Sequence, residues 1–351
     1  MRKDFFIEKH IINENSSTFV VAELSANHLH NFHNAVELIK EAAKAGVDAI
    51  KLQTYTADTI TIDCDNKYFQ INQGTLWDGR TLYNLYREAY TPWEWQPKLK
   101  RIAEEEGLIC FSSPFDKTAV DFLEEMNVPA YKIASFEITD IPLIEYVASK
   151  GKPIILATGI AALSDIQEAV NACRRVGNNQ IAVLKCTSAY PSAYEEVNLR
   201  TISNLSETFN VVAGLSDHTL GISVPIAAVA LGAKIVEKHF TLCRADGGPD
   251  AAFSLEPDEL KAMVKSIRET EKALGKVSYD LTDKMIKSRE FSRSLFIVKN
   301  IKKGEMFTEE NIRSIRPGFG LHPRYYKDIL GKKANCDIEI GTPMEWNLVE
   351  Q

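Results

Sequence analysis

Between residues 19 and 274, short β-branched runs alternate with longer amphipathic stretches. Eight runs have the length and residue types of buried strands, at residues 19–23, 49–52, 108–112, 130–133, 153–156, 181–185, 211–215 and 235–238. Between them apolar residues recur with helical spacing, as at Val36, Ile39 and Ala43. Strands that alternate with helices form βαβ crossovers and a parallel sheet. Eight such units in about 250 residues are typical of a (β/α)8 TIM barrel.

An open, doubly wound sheet would produce the same alternation, but it usually carries a glycine-rich turn after an early strand. No such turn follows residues 19–23. We therefore predict an α/β fold with a TIM barrel at residues 1–274. Residues 275–290 are polar and charged, as in a linker. Residues 291–351, with short strands expected at 294–298 and 335–338, are predicted to form a small β-rich C-terminal domain.

Composition excludes several classes of partner. The chain has 48 acidic and 41 basic side chains, a net charge of −7, and no basic cluster of the kind that binds nucleic acid. No apolar run approaches the ~18 residues that span a bilayer. Six cysteines are scattered without a Cys-x-x-Cys motif. Cys110 and Cys186 lie in apolar runs, where reduced, packed thiols are expected. These features predict a cytoplasmic protein without a membrane or nucleic-acid partner.

The connection between residues 54 and 91 is unusually long and rich in aromatic residues, among them Trp77, Tyr83 and Tyr86. A long loop at the carboxyl end of a barrel often covers the substrate, so a lid is one interpretation. A packed insertion without a role in catalysis is the other.

Polar side chains stand at the ends of seven of the eight predicted strands. Active sites of TIM barrels collect at the carboxyl ends of the strands, so these side chains are expected to share one site. The residues at the strand ends and directly after them are Glu23, Lys51, Gln53, Ser112, Ser113, Lys132, Ser135, Glu137, Ser188, Ser216, His218, Glu237 and His239.

Two of these residues, His218 and His239, follow neighbouring predicted strands. Two imidazoles at one barrel mouth can share a divalent ion and leave positions open for substrate and water. Without a soft ligand, such a site suits Mn²⁺, Co²⁺ or Mg²⁺ better than structural zinc. The alternative is a pair of hydrogen-bonded histidines at the rim.

Lys51 and Lys132 project from strand ends into the same mouth. Paired ammonium groups with nearby serines bind phosphate or carboxylate groups. One alternative is a Schiff-base lysine of a class I aldolase; the other is a simple ion pair with Glu23 or Glu137. The segment 246–250 can form a tight turn that presents Asp250, or it is only a surface turn.

Eight ordered segments resemble the sialic acid synthase family, AELSANH (22–28), KLQT (51–54), SSPFD (112–116), YKIAS (131–135), GLSDHTLG (214–221), EKHFT (237–241), GGPDAAFSLEP (247–257) and IRPGFGL (315–321). Eight motifs in order are far more specific than any single motif. The last segment is similar to the antifreeze-like (SAF) domain that ends these enzymes. Segments 75–95 and 247–257 are most similar to the pseudaminic acid synthases within the family.

The resemblance implies a transferase that condenses phosphoenolpyruvate with an acetamido-sugar aldehyde without a Schiff base. In pseudaminic acid synthases the sugar is 2,4-diacetamido-2,4,6-trideoxy-β-L-altropyranose, and the product decorates bacterial flagellin or surface polysaccharide. The alternatives within the family are N-acetylneuraminate and legionaminate synthases, which use N-acetylmannosamine or its diacetamido-trideoxy analogue. Outside it, the alternatives are a lysine-dependent aldolase and a non-enzymatic sugar-binding protein. The family also implies a homodimer with a swapped C-terminal domain.

The resemblance further assigns roles to single residues. The metal ligands would be His218 and His239, with Mn²⁺ the expected ion, and Arg316 would reach the active site of a partner subunit. Phosphoenolpyruvate contacts would be Lys51, Ser112 or Ser113, Lys132, Ser135 and Ser216, with Ser188 at a position that is often Asn. Sugar contacts would be Glu23, Gln53, Tyr190 and Asp250. For proton transfer, the candidate is Glu23, with Glu137 as the alternative.

Overall fold

The computed structural model describes residues 4–350, which divide between Gly275 and Lys276 into two compact units. The first unit contains an antiparallel hairpin, β1 (Phe5–Ile7) and β2 (His10–Ile12). A closed barrel of eight parallel strands follows in the order β10-β3-β4-β5-β6-β7-β8-β9. Its strands are β3 (Phe19–Glu23), β4 (Ala49–Thr54), β5 (Ile109–Pro114), β6 (Tyr131–Ile133), β7 (Ile154–Ala157), β8 (Ile181–Cys186), β9 (Val212–Asp217) and β10 (Ile235–His239). The TIM-barrel prediction is confirmed, and a strand lies at each of the eight predicted places.

Helices connect the strands and surround the barrel. They are α1 (Phe32–Ala45), α2 (Ala57–Ile60), α3 (Leu82–Ala89), α4 (Gln96–Glu105), α5 (Lys117–Glu125), α6 (Ile141–Ser149), α7 (Leu163–Arg175), α8 (Thr201–Phe209), α9 (Ser223–Ala230) and α10 (Pro257–Leu274). Helix α1 illustrates how these helices begin, end and pack. The Asn31 side chain accepts hydrogen bonds from two backbone N–H groups at the start of α1. Gly46 ends it at φ +83°, a left-handed conformation that favours glycine. Its buried face, which includes Leu38 and Ile39, packs into the apolar layer between barrel and helices.

The amino-terminal end of the barrel is filled by apolar side chains. Phe5, Ile7 and Ile12 of the hairpin are buried in one cluster with Phe19 and other residues from the beginnings of barrel strands. The hairpin therefore covers this end, and polar side chains are left to the carboxyl end. The hairpin is absent from the sequence-based prediction because three-residue strands carry no readable alternation.

The second unit has a small core of its own, which includes Leu295, Phe307 and Ile312. It contains the antiparallel strands β11 (Ser294–Ile297) and β12 (Ile312–Ile315), with helices α11 (Asp283–Ser288) and α12 (Tyr326–Ile329). The strand predicted at 335–338 is wrong, since this region makes only isolated bridges, such as Ile301 to Ile338. The predicted linker, 275–290, contains α11. The outer bounds of the predicted domains, residues 1 and 351, lie outside the described residues.

Across residues 4–350, none of the helices is both long and apolar enough to cross a membrane.

Candidate active site at the carboxyl end of the barrel

Four buried charged side chains meet inside the mouth of the barrel. The carboxylate of Glu237 on β10 is the centre, because its Oε1 accepts a hydrogen bond from Lys132 Nζ at 2.7 Å. The same oxygen lies 2.9 Å from Lys51 Nζ, and Ser216 Oγ donates to it, also at 2.9 Å. Lys51 Nζ lies 2.6 Å from Glu23 Oε2 as well. Two carboxylates and two ammonium groups thus alternate in a charge-balanced group, the mouth cluster, formed by Glu23, Lys51, Lys132 and Glu237.

Strand register brings these residues together. Glu23 lies opposite Lys51 across β3 and β4, and Ser216 lies opposite Glu237 across β9 and β10. Side chains at paired positions of neighbouring parallel strands point to the same face of the sheet, here the barrel interior. Because a bare buried charge is costly, the cluster is stable only through its mutual pairing.

Burial and pairing act in opposite directions on the pKa values of the cluster. Burial lowers the pKa of Lys51, and the neighbouring ammonium of Lys132 lowers it further, although Glu237 raises it. Burial raises the pKa of Glu237, but Lys132 and Lys51 outweigh this and hold it well below its ordinary value. Glu237 is therefore ionised at neutral pH, and its charge keeps the two lysines in the site.

The two candidate metal ligands lie side by side, with ring centroids 5.2 Å apart. His218 Nδ1 is 3.1 Å from the carbonyl oxygen of Thr187, which fixes the ring if that nitrogen carries the proton. His239 Nδ1 is buried without a hydrogen-bond partner, and it lies 3.9 Å from Asp250 Oδ2. Burial, with the neighbouring His218, lowers the pKa of His239 well below its ordinary value, so this ring is neutral, the form that binds metals.

Within the described residues, 4–350, no group of three or more His, Cys, Asp and Glu side chains could hold a metal. Two imidazoles alone do not saturate a divalent ion, which needs further ligands from substrate and water. The unpartnered nitrogen of His239, which faces no protein donor, fits such a shared site. The pair is thus suited to an open site and not to a closed structural one.

Three aromatic rings, those of Tyr190, Phe253 and Trp77, form an aromatic wall beside the histidines. The Tyr190 ring lies 4.5 Å from the ring of His218 and 5.2 Å from that of Phe253, measured between centroids. The centroid of the Trp77 ring lies 5.5 Å from that of the Tyr190 ring. Trp77 belongs to the long insertion after β4, and its Nε1 donates a hydrogen bond to the carbonyl oxygen of Pro249 at 3.0 Å. The insertion therefore extends to the aromatic wall, beside the candidate sugar contacts Tyr190 and Asp250.

Hydroxyl groups and one glycine lie at the mouth. Ser135 Oγ accepts a hydrogen bond from the backbone N–H of Gly159 at 3.1 Å. A Cβ at Gly159 would stand only 2.0 Å from Ser188 Oγ, so this position has room for glycine alone. Ser112, by contrast, faces the layer between barrel and helices, where its Oγ lies 2.6 Å from Thr54 Oγ1, which donates to Gln96 Oε1 of α4; of the two predicted serines, only Ser113 therefore faces the mouth. Ser113 Oγ is buried without a partner and is thereby available to a ligand.

The remaining predicted residues have different surroundings. Glu137 lies in the turn after β6, where its Oε2 is buried without a partner, and burial raises its pKa to about 7. Asp250 accepts a hydrogen bond from Ser25 Oγ, and burial raises the pKa of this carboxyl. Gln53 is half-buried at the end of β4. Arg316 is exposed in the second unit, directly after β12.

Four residues at this site have no role predicted from the sequence. Glu237 is predicted only as a strand-end residue. The Thr-Gly dipeptide directly after the fifth barrel strand is a readable signal for Gly159. Cys186 is buried, as expected, but its Sγ lies 3.7 Å from His218 Nδ1. Trp77 carries no signal beyond its place in an aromatic insertion.

Known proteins share both the sequence and the fold. The NeuB family matches residues 38–279, and the SAF domain matches residues 292–350. The chain is 48% identical over 333 residues to the pseudaminic acid synthase of Campylobacter jejuni subsp. jejuni serotype O:2, a match that covers 95% of this chain and 97% of that one. The pseudaminic acid synthase of Helicobacter pylori is 46% identical, with 95% and 98% covered. The crystal structure of N-acetylneuraminic acid synthetase from Leptospira borgpetersenii gives a TM-score of 0.73 at 31% identity, covering 82% of this chain and 95% of that one. The resemblance drawn from the sequence is thus confirmed, and this chain belongs to the NeuB family.

Proposed function

We propose that this chain condenses phosphoenolpyruvate with 2,4-diacetamido-2,4,6-trideoxy-β-L-altropyranose and water, and that it forms pseudaminic acid and inorganic phosphate. The observation that carries the proposal is the mouth cluster, which buries two lysines in a barrel whose sequence is 48% identical to a pseudaminic acid synthase. The same identity favours pseudaminic acid as product over N-acetylneuraminic acid, since the N-acetylneuraminic acid synthetase is only 31% identical.

Lys51 and Lys132 are the proposed ligands of the phosphate and carboxylate groups of phosphoenolpyruvate. An ammonium group has three donors. Lys132 donates one of them to Glu237 Oε1, whereas Lys51 Nζ lies in ion-pair contact with Glu237 and Glu23 at 2.9 and 2.6 Å. Donors are therefore left on both lysines for an anionic substrate. Ser113, Ser135, Ser188 and Ser216 add hydroxyl groups, and together these contacts would hold C3 of phosphoenolpyruvate toward the sugar aldehyde.

A divalent metal is proposed at His218 and His239, with Mn²⁺ favoured over Co²⁺ and Mg²⁺. The fit rests on the neutral, unpartnered imidazole of His239 beside His218. When bound, the ion would polarise the aldehyde oxygen as a Lewis acid. Tyr190, Asp250, Gln53 and Glu23 are the proposed sugar contacts, and the first two lie against the histidines.

Carbon–carbon bond formation joins C3 of phosphoenolpyruvate to the aldehyde carbon. Water then adds at C2, and the tetrahedral intermediate expels inorganic phosphate. This sequence needs a group that moves a proton, and we favour Glu137 over Glu23. Glu23 is held in an ion pair with Lys51, whereas burial raises the pKa of Glu137 to about 7. A pKa near the working pH is what proton transfer requires.

An aldolase that uses a Schiff base is the competing chemistry. It would require a lysine nitrogen that is free to attack a carbonyl carbon, but Lys132 Nζ donates a hydrogen bond to Glu237 Oε1 at 2.7 Å. Sodium borohydride with pyruvate should therefore leave the protein unlabelled. A covalent adduct detected on Lys132 by mass spectrometry would establish the aldolase.

Two further features of the family are proposed for this chain. In a homodimer with swapped C-terminal domains, the exposed Arg316 would enter the active site of the partner subunit. Replacing Arg316 with alanine should then raise the KM for the sugar and leave that for phosphoenolpyruvate unchanged. A cytoplasmic location is supported by the six cysteines, all free in the described part of the chain.

The direct test is phosphate release from phosphoenolpyruvate in the presence of Mn²⁺. The altropyranose, N-acetylmannosamine and the diacetamido-trideoxy acceptor of legionaminate synthases are offered in parallel. Release with the altropyranose alone is expected. Release with only one of the other sugars would keep the condensation chemistry but refute the proposed substrate, and release with none of them would refute the function.

A further inference from the structure

On β9 and β10, the protein buries a second ion pair that the proposed chemistry does not use. Lys238 Nζ lies 2.5 Å from Asp217 Oδ2, and their side chains are 0% and 1% exposed. The two residues are paired across β9 and β10. Each stands immediately before one of the two histidines in the sequence, Asp217 before His218 and Lys238 before His239.

The pair points away from the mouth. Side chains alternate along a strand, and Ser216 and Glu237 face the barrel interior, where they hydrogen-bond each other. Asp217 and Lys238, one residue further on each strand, therefore face the layer between barrel and helices. The next residues, His218 and His239, return to the mouth.

Thr219 closes the network on the far side of His218. Its Oγ1 and its backbone N–H both donate to Asp217 Oδ1, at 2.9 and 3.1 Å. Lys238 Nζ also donates to the carbonyl oxygen of Thr219. The backbone that carries His218 is thus tied on both sides of this residue to the neighbouring strand, which ends in His239.

A buried ion pair is weak evidence for stability, because the cost of removing two charges from water offsets much of their attraction. Its use is then to be sought in geometry. We propose that Asp217, Lys238 and Thr219 form a strut whose purpose is to fix the spacing and orientation of the two metal-binding imidazoles. They are positioning residues, because the side chains of Asp217 and Lys238 face away from the mouth, and the inference rests on the metal site of the proposed function.

The test measures Mn²⁺ affinity without turnover. The double variant Asp217→Asn/Lys238→Met removes both charges at once, so that neither is left buried alone. Asparagine can still accept the hydrogen bonds of Thr219, and methionine fills most of the volume of the lysine stem. Binding is followed by isothermal titration calorimetry, and by the loss of the free Mn²⁺ signal in electron paramagnetic resonance.

Mn²⁺ binding should weaken by about 10- to 100-fold, the usual effect of removing groups that orient metal ligands. Thermal unfolding without metal and the affinity for phosphoenolpyruvate should stay close to wild type, since the mouth cluster faces the other side of the sheet. The matched control is Glu124→Gln/Lys152→Met, which removes an ion pair of 2.7 Å at the amino-terminal end of the barrel and should leave Mn²⁺ binding unchanged.

Thr219→Val provides a second, milder variant, which removes only the hydroxyl of the strut and should weaken Mn²⁺ binding in the same direction. If the double variant is unstable, this substitution alone decides the matter. Wild-type affinity in a folded double variant, or in Thr219→Val when the double variant does not fold, would overturn the strut. Absence of Mn²⁺ binding in the wild-type protein would instead refute the metal site, and the strut with it.

Discussion

Replacement of Glu237 by glutamine tests whether this carboxylate holds the two lysines in the mouth. The substitution keeps the shape and an oxygen acceptor for Ser216, but it removes the charge that Lys132 and Lys51 share at 2.7 and 2.9 Å. Glu23 would be left as the partner of Lys51 alone. Lys132 would then keep a buried charge without a carboxylate in contact.

The expected loss of stability follows from this arrangement. Removing one partner of a buried ion pair costs about 3–5 kcal/mol, and the lower end applies because glutamine still accepts hydrogen bonds. The lysines hold the pKa of Glu237 below its ordinary value of ~4.3. Its contribution is therefore fully present at pH 7 and is lost only as the pH falls below that value.

The same substitution should strengthen the binding of the anionic substrate, since no carboxylate of Glu237 then competes with it for Lys132. We expect the dissociation constant for phosphoenolpyruvate to fall about tenfold, or ~1.4 kcal/mol. A ligand at a hundred times its dissociation constant stabilises the native state by about 2.7 kcal/mol. Phosphoenolpyruvate should thus return most of the stability that Glu237→Gln removes.

Urea unfolding of the wild-type protein and of Glu237→Gln at pH 7, with and without phosphoenolpyruvate, measures both effects. Glu124→Gln is the control, because its partner Lys152 is only partly buried and such pairs contribute less than about 1 kcal/mol. A Glu237→Gln variant that is as stable as Glu124→Gln would show that Glu237 does not hold the lysines in the mouth. Equal stabilisation of wild type and variant by phosphoenolpyruvate at one concentration would refute the competition between Glu237 and the substrate.

Three further substitutions address the other parts of the site. His239→Ala should abolish phosphate release and Mn²⁺ binding while phosphoenolpyruvate still binds; calorimetry with each ligand checks this, and retained Mn²⁺ binding would exclude the residue as a ligand. Trp77→Ala should raise the sugar KM about tenfold, with the KM for phosphoenolpyruvate unchanged, because the indole packs on Tyr190. The exposed Tyr68 of the same insertion supplies the control, Tyr68→Ala, and an equal effect of both would mean that the insertion acts only as packing. Glu137, with its pKa raised to about 7 by burial, is ionised above that pH. If Glu137 is the general base, kcat/KM should rise through pH 7, and Glu137→Gln should remove this rise. An unchanged pH profile would exclude Glu137 as the base and leave Glu23 as the candidate.

The sequence predicts the barrel well because its strands are buried on both faces, which gives continuous β-branched runs that are easily recognised. The strand ends are readable for the same reason, since each run stops where polar residues begin. Lys51, Lys132, Ser216 and the two histidines could be placed at one mouth by this reasoning alone. The hairpin Phe5–Ile7 and His10–Ile12 could not, because segments of three residues show no period.

The relations between side chains from different strands are beyond the sequence. Lys132 pairs with Glu237 and not with Glu137. This pairing depends on strand register and barrel closure, which set the distances across the mouth. The contact between Trp77 and Pro249 joins segments far apart in the chain, in an insertion without periodicity. Cys186 reads as a packed thiol from its apolar neighbours, whereas its approach to His218 follows from the pairing of β8 with β9.

The hairpin at the amino-terminal end restricts where molecules can enter and leave the barrel. Phe5, Ile7 and Ile12 close that end with apolar side chains, so substrates and products have to share the entrance at the carboxyl end. Lys51, Lys132 and Glu237 of the mouth cluster lie within their strands, whereas His218 and the aromatic wall stand beyond the strand ends. If the proposed substrate sites are correct, phosphoenolpyruvate is expected to bind before the sugar, and product-inhibition kinetics would check this order. Because the amino-terminal end of the barrel is closed, all exchange with solvent takes place at the carboxyl end.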